Sequence, residues 1–363
     1  MNNRKLVLEN GKVFEGVGFG SLKENVAEII YNTSVVGYQE IISDPANCNK
    51  IICMTYPLIG NYGLNDEDYE SKHINLKGLL VREYNDDPSN FRYTRTLAEV
   101  MEENEVSGIC GIDTRALTKI IRNEGTLKGL ICDIDKPIEE CLDILNNYQE
   151  EEKLINIVSP KKVWYSRTPN PMYNIAVIDL GTKLSFIKEL NKAGCNVISF
   201  PYTYTKEQIL KYKPDGLFIS SGPDNPNNLP EVVELVKNFI GELPILGVCL
   251  GCHIIAKAYG VDVLKMKSGH HGSNYPVKNL LTGKVEITTQ NHNYTLDEKQ
   301  LENSTLKVTH ENVNTKEIEG ILDEDKCVIG VQFEPVIPID NDSENLYHEF
   351  LNIIKKCGGK KNA

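Results

Sequence analysis

No apolar run in the chain approaches the roughly twenty residues that a membrane-spanning helix needs. Basic residues are outnumbered: 39 Lys and Arg face 51 Asp and Glu, a net charge of −12. That balance argues against nucleic acid or an anionic membrane as a general partner. The ten cysteines have no framework spacing. Met1-Asn2-Asn3-Arg4-Lys5 leads directly into an alternating strand pattern, not into the apolar core of a signal peptide. Most cysteines are therefore expected to be reduced and buried, and the chain to be cytoplasmic. There is no internal repeat and no low-complexity tract. What remains is an ordinary globular composition, 40% hydrophobic and 25% charged, over 363 residues, enough for two domains.

The chain reads as two regions of different grammar. Lys5–Glu9 and Lys12–Phe14 flank Asn10-Gly11, a hairpin signal. Val26–Tyr31 and Ile51–Pro57 read as further strands, and Leu58–Asn65 as a turn. Thr94–Glu105 and Asp113–Asn123 have helical periodicity, with Asp113 as N-cap. This is an α+β first domain, assigned to residues 1–165. Proline and polar residues around Arg167-Thr168-Pro169-Asn170-Pro171 mark a linker near 165–173. From Tyr173 onward strands and helices alternate: 173–179, 195–200, 216–219 and 245–248 as strands, 183–193, 205–211, 229–240 and 252–259 as helices. That alternation predicts an α/β, doubly wound, largely parallel sheet over 173–358. The tail reads as extra strands and a closing helix, Ser343–Lys355.

Ligands of such a sheet bind at the carboxyl ends of its strands. There the chain carries Ile245-Leu246-Gly247-Val248-Cys249-Leu250-Gly251. A strand, a strained turn between two glycines and a helix would present the Cys249 thiol at the apex, in the manner of a nucleophile elbow. A helix N-terminus favours its thiolate. Three other readings of the stretch stand beside this one. It is also a buried strand ending in an inert cysteine. Cys249-Leu250-Gly251-Cys252-His253 spells the c-type haem attachment motif, which belongs to exported proteins. And Cys249, Cys252 and His253 have the spacing of a redox or metal site.

Further residues carry a resemblance that covers nearly the whole chain. Ser220-Ser221-Gly222-Pro223, Lys267–Val277, Gln290-Asn291-His292 and Val331-Gln332-Phe333 resemble the class I, triad-type glutamine amidotransferases. Asn32-Thr33-Ser34, Gly37–Ile41, Asp44-Pro45, Thr55–Gly63 and Gly111–Thr118 resemble the small subunit of carbamoyl-phosphate synthetase within them. The resemblance implies an N-terminal small-subunit domain followed by an amidotransferase domain. It implies a cysteine that attacks the glutamine side-chain amide, forms a thioester and releases ammonia. A large partner subunit would use the ammonia with bicarbonate and ATP to make carbamoyl phosphate for arginine and pyrimidines, a ligase reaction of a heterodimer. The small chain itself would carry no cofactor and no metal.

The chain departs from that family where proton transfer should occur. The family's Gln-x-His-Pro-Glu is Gln332-Phe333-Glu334-Pro335-Val336 here, so Glu334 replaces the histidine and Val336 the orienting glutamate. A carboxylate near Cys249 is expected to raise the thiol pKa by like-charge repulsion. Ordinary glutamate, with a pKa of about 4.3, is also a feeble base and, once charged, no acid for the departing ammonia. In the family's Gly-Pro-Gly loop the second glycine helps form the oxyanion hole; here it is Asp224, expected to strain the backbone and to bring negative charge there. The glutamine after the nucleophile is His253, expected to obstruct the pocket. Asn293 and Tyr294 stand in the family's Asn-His-Gly-Phe stretch, and Ala46 replaces a serine. Leu250, Gly222 and Asn291 still match.

Three functions compete on this reading: a pseudo-glutaminase that keeps the fold and the large-subunit partner, a working amidotransferase that still binds glutamine with Glu334 as an odd base, and a metal or redox site on a borrowed scaffold.

Overall fold

Asn10-Gly11 does make the first hairpin. Strands β1 (Asn3–Leu8) and β2 (Val13–Gly20) pair antiparallel with Leu6 opposite Phe14, and Gly11 takes the left-handed backbone (φ 82°) that the turn requires. Strands β3 (Asn25–Asn32), β4 (Lys50–Met54), β5 (Gly78–Leu80), β6 (Ser107–Cys110) and β7 (Leu127–Asp133) complete a closed barrel. Its order is β1-β2-β6-β5-β4-β3-β7, with β7 returning to β1. The β3-β4-β5-β6 run is parallel and the other pairs are antiparallel.

Helix α1 (Tyr38–Ser43) and α2 (Leu97–Glu103) bury apolar residues in one cluster with Met54, Leu79 and Val81. Helix α3 (Thr114–Glu124) is capped by Asp113, whose side chain accepts from the Ala116 N–H at 2.9 Å. It packs Leu117 and Ile121 with Leu6, Ile29 and Ile51. Helix α4 (Ile138–Asn147) lies against β1 and β7 through Cys141 and Leu145. The expected turn at 58–65 contains a short strand, Leu58–Ile59, paired in parallel with Glu83–Tyr84.

The computed structural model describes residues 3–335 and 346–361. Their contacts form two units. Unit 1 takes the chain up to Glu152 together with Lys267–Gly272, and unit 2 takes Lys153–Met266 and the chain from Ser273. The division thus falls at 152, ahead of the proline-rich 165–173 segment. The reason is hydrogen bonding. Helix α5 (Ile155–Val158) receives both carboxylate oxygens of Asp224 on its first N–H groups, and β8 (Trp164–Ser166) pairs antiparallel with a unit 2 strand. Pro160 and Pro169 lie within unit 2, not at its edge.

Unit 2 is built on β9 (Tyr173–Asp179), β10 (Cys195–Pro201), β11 (Gly216–Ile219) and β12 (Ile245–Val248). Beyond them come β13 (Val263–Asn279), β14 (Val285–Leu296), β15 (Lys307–Asn312), β16 (Ile318–Asp323) and β17 (Val328–Val331). The sheet order is β8-β10-β9-β11-β12-β17-β16-β15-β13-β14. The β10-β9-β11-β12-β17 core is parallel. Residues alternate between two apolar layers. Ala176, Ile178, Leu217 and Ile245 face α7 (Lys206–Leu210), α8 (Pro230–Phe239) and α9 (Leu250–Ala258). Ile175, Val177, Phe218 and Leu246 face α6 (Leu184–Lys192) and the helix Leu346–Lys361. Residues 343–345 of the expected closing helix lie outside the described residues. A Cys327–Cys357 disulfide ties that helix to the turn before β17; the other eight cysteines are free thiols, seven of them buried. Among the described residues no helix is long and apolar enough to cross a membrane.

Candidate active site

β12 ends at Val248, and Cys249 follows with φ 52° and ψ −110°. This is a positive-φ conformation that a residue with a side chain adopts only when its surroundings over-determine it. Four backbone facts do so. The Cys249 N–H donates to the Val331 carbonyl at 2.8 Å, and the His253 N–H closes the first helical turn onto the Cys249 carbonyl at 3.2 Å. A Cβ on Gly251 would lie 2.1 Å from the Ile219 carbonyl oxygen, and one on Gly247 would lie 2.6 Å from that of Gly251. The two glycines of the motif are therefore needed for close approach of backbones, as the elbow demands. Gly222 is constrained likewise: a Cβ there would meet the Leu180 carbonyl at 2.3 Å and Leu250 Cδ2 at 2.8 Å.

The Cys249 side chain is 5% exposed, and its Sγ donates to the Asn291 carbonyl of β14 at 3.4 Å. A carbonyl oxygen only accepts, so the contact suits a thiol S–H as donor. Asn293 and Tyr294 follow on the same strand. Ala46 lies in unit 1, in the 3-10 turn Pro45–Asn47, with its N–H held by Asp44 Oδ1 at 2.9 Å.

Glu334, in the histidine position, is bound by a partner that local sequence does not announce. Lys183 Nζ, 151 positions away, donates to both carboxylate oxygens, at 2.8 and 2.9 Å. The Lys183 side chain is 7% exposed and that of Glu334 18%. The Glu334 N–H donates to the Thr289 carbonyl of β14 at 2.8 Å. The carboxylate is therefore not an isolated charge: the Lys183 ammonium pairs with it. Both carboxylate oxygens of Glu334 are engaged by the Lys183 ammonium. Val336 lies outside the described residues.

The Asp224 carboxylate also differs from expectation. Its oxygens accept from Leu154 N–H (2.8 Å) and Ile155 N–H (2.7 Å), and the residue is 7% exposed. Its charge is spent on capping α5 instead of facing a reaction centre, and Asp224 is not among the positive-φ residues, so no glycine-type strain arises.

His253 is 2% exposed and points inward, with Nε2 2.7 Å from Gln332 Oε1. Gln332 gives its amide nitrogen to the Ile318 carbonyl, which fixes Oε1 toward the ring and makes Nε2 the donor. Burial lowers the imidazole pKa to about 4, so it is neutral near pH 7. His292 is likewise consumed internally, by the Tyr294 carbonyl at Nδ1 (2.7 Å) and by Gln290 Oε1 at Nε2. Behind them sits Glu319, fully buried, hydrogen-bonded with Asn312 at 3.3 Å and pushed up to about 8 by burial.

The C-x-x-C spacing does not assemble a ligand set. Cys249 belongs to the apolar layer of α6, Cys252 to that of α8, on opposite faces of the sheet. Burial pushes the Cys252 thiol far up. Among the described residues Cys249, Cys252 and His253 do not form a metal-ligating group.

The arrangement thus has a positive-φ elbow at Cys249 held between Gly247 and Gly251, a Cys249 sulfur against the Asn291 carbonyl, and a Glu334 carboxylate paired with Lys183. Comparison with known proteins gives it a family. The family described as carbamoyl-phosphate synthase small chain, CPSase domain, matches residues 6–131, and glutamine amidotransferase class-I matches residues 176–353. The chain is 43% identical over 353 residues to the carbamoyl phosphate synthase pyrimidine-specific small chain of Bacillus subtilis (strain 168), covering 97% of this chain and 96% of that one. It is 43% identical over 358 residues to the carbamoyl phosphate synthase small chain of Bacillus caldolyticus, covering 98% of each. With both domains matched and identity sustained from end to end, the chain belongs to the carbamoyl-phosphate synthase small-chain family.

Proposed function

We propose that this small chain has a silent or strongly impaired glutaminase and serves its large subunit as a structural or regulatory partner. The observation that carries this reading is the pairing of Lys183 with Glu334 at the position where the family's chemistry takes up the thiol proton. Hydrolysis needs one group that removes the Cys249 proton and returns it to the leaving ammonia. Glu334 is engaged through both oxygens by Lys183, and His253 and His292 are buried in bonds of their own. The Cys249–Asn291 contact supports a resting thiol. On this reading the large subunit binds ATP and bicarbonate and takes free ammonia, in a cytoplasmic heterodimer that makes carbamoyl phosphate for pyrimidines and arginine. The name of the B. subtilis relative favours the pyrimidine branch.

The second reading, a working amidotransferase with a substituted base, is favoured by one observation: the positive-φ elbow at Cys249 persists with its glycines. The test is glutamine turnover by the purified chain, alone and with a large subunit, beside ammonia-driven carbamoyl phosphate synthesis. No turnover, together with ammonia-driven synthesis improved by the chain, is the expected result. Turnover that disappears in Cys249→Ala would establish the second reading and overturn the first.

A further inference from the structure

Unit 1 holds two thiols in contact that the amidotransferase chemistry does not use. Cys132 lies on β7 and Cys141 on α4; both are fully buried, and their sulfurs are 3.6 Å apart. They share an apolar cluster with Val7, Leu130 and Leu145. Eight residues separate them in sequence.

The position of the pair matters more than its proximity. Helix α4 meets the barrel along one face: Cys141 and Leu145 are its only fully buried side chains, Leu142 and Ile144 pack half-buried against the same cluster, and Ile138, Glu139, Glu140, Asp143, Asn146 and Asn147 are exposed. Pro137 occupies its N-cap and supplies no side-chain cap. A ten-residue helix with two fully buried side chains and no side-chain cap is marginal by itself and opens at lower cost than the barrel. Opening exposes both sulfurs together, because one is on the helix and the other directly beneath it. Closing leaves them about 1.5 Å from the 2.05 Å of a disulfide, a distance within reach of side-chain rotation.

We propose that Cys132 and Cys141 are a redox modification site, a latent disulfide that staples α4 to β7 when small-molecule disulfides accumulate. The chemistry balances as thiol–disulfide exchange. The Cys141 thiolate attacks a sulfur of oxidised glutathione, forms a mixed disulfide and releases one glutathione thiolate. Cys132, having lost its proton to water, then attacks the Cys141 sulfur and expels the second glutathione. Two protein thiols are oxidised by two electrons, and one glutathione disulfide is reduced to two thiols. Burial pushes the Cys132 thiol up to about 12, so the closed helix is unreactive and attack waits on opening. The half-exposed Cys110 of β6 provides an internal reference for accessible thiol chemistry.

The test treats the full-length native chain with oxidised glutathione, blocks remaining thiols, and maps non-reduced peptides by mass spectrometry. Amide exchange over 138–147 is followed on the same samples. A Cys132–Cys141 crosslink with loss of two hydrogens, and exchange slowed at least tenfold over α4, is expected. Cys141→Ala, which keeps a small apolar side chain at the contact, should lose both effects, and added dithiothreitol should reverse them in the unmodified chain. Glutathionylation at Cys110 while Cys132 and Cys141 stay reduced would overturn the proposal. So would a crosslink that leaves α4 exchange unchanged, or slowed exchange that persists in Cys141→Ala.

Discussion

The two sides of the candidate site have different fates. On one side stand Gly247, Cys249, Gly251 and Gly222, each fixed by a backbone atom that leaves no room for change. On the other stand Asp224, His253 and Glu334, each where the sequence resemblance places a residue of glutamine chemistry and each bonded to this chain's own groups. The elbow is part of the core: its turn is threaded between β11 and β17, so altering it costs folding. Asp224 and Glu334 lie in the loops beyond β11 and β17 and His253 in the first turn of α9, outside the strands themselves.

That contrast can be broken most forcefully at Gly251. Gly251→Ala drives a Cβ to 2.1 Å from the Ile219 carbonyl, and a loss of about 3–5 kcal/mol in denaturant unfolding is expected. Stability unchanged by the substitution would show that the elbow is not held by the core.

Asp224→Ala should cost less, about 3 kcal/mol, by leaving the Leu154 and Ile155 N–H groups without their acceptor. Limited proteolysis within 153–165 should accelerate in the same variant. Restored glutaminase there, with no change in stability, would show that Asp224 acts on chemistry and not on α5.

A smaller effect should follow pH. Folded Glu319 holds its proton up to about 8, whereas in the unfolded chain it loses it near 4.5. The folded state then binds more protons, so stability falls as pH rises through that window. His253 and His310 have folded pKa values lowered by burial to about 4. They contribute stability that is present above about 6.5 and lost as pH falls. Two histidines outweigh one glutamate below 6.5, and the glutamate acts alone above it. From these groups stability is highest near pH 6.5 and drops by about 2 kcal/mol by pH 8. Chemical denaturation across pH 5–8.5 checks this, and Glu319→Gln should abolish the alkaline fall.

The smallest effect is expected from the most obvious repair. Glu334→His with Val336→Glu should leave glutamine turnover at the level of Cys249→Ala. Lys183 would then face an imidazole, His253 would remain in place of the family's glutamine, and Asp224 would still cap α5. Full turnover in the double variant would mean that these surroundings do not matter and that the site differs from the family by two residues alone.

Much of this was legible where the physics is local. Ile245–Val248 followed by a helix, the Asn10-Gly11 hairpin and the Asp113 cap are each encoded within about ten residues, and the structure has them at those positions. The substitutions at 224, 253 and 334 were visible as letters. Their meaning was not, because it depends on partners far along the chain: Leu154 for Asp224, Lys183 for Glu334, Gln332 for His253. A carboxylate in a sequence has a charge but no address. The same holds for the unit boundary: proline content marks a bend locally, while membership of a unit is decided by the strand that β8 pairs with and the carboxylate that caps α5.

Unit 1 is discontinuous in sequence, and this has a consequence for synthesis. The Thr33 N–H finds its acceptor in the His271 carbonyl, Tyr31 Oη lies 3.1 Å from Ser268 Oγ, and a Cβ on Gly272 would strike Thr33 Oγ1. A ribosome that has delivered Glu152 has not yet delivered these groups. At about 5–20 residues per second they follow roughly 6–24 seconds later, so the barrel strands are all present while Tyr31 and Thr33 still wait for these partners. A fragment ending at Glu152 would be held permanently at that stage of its own birth.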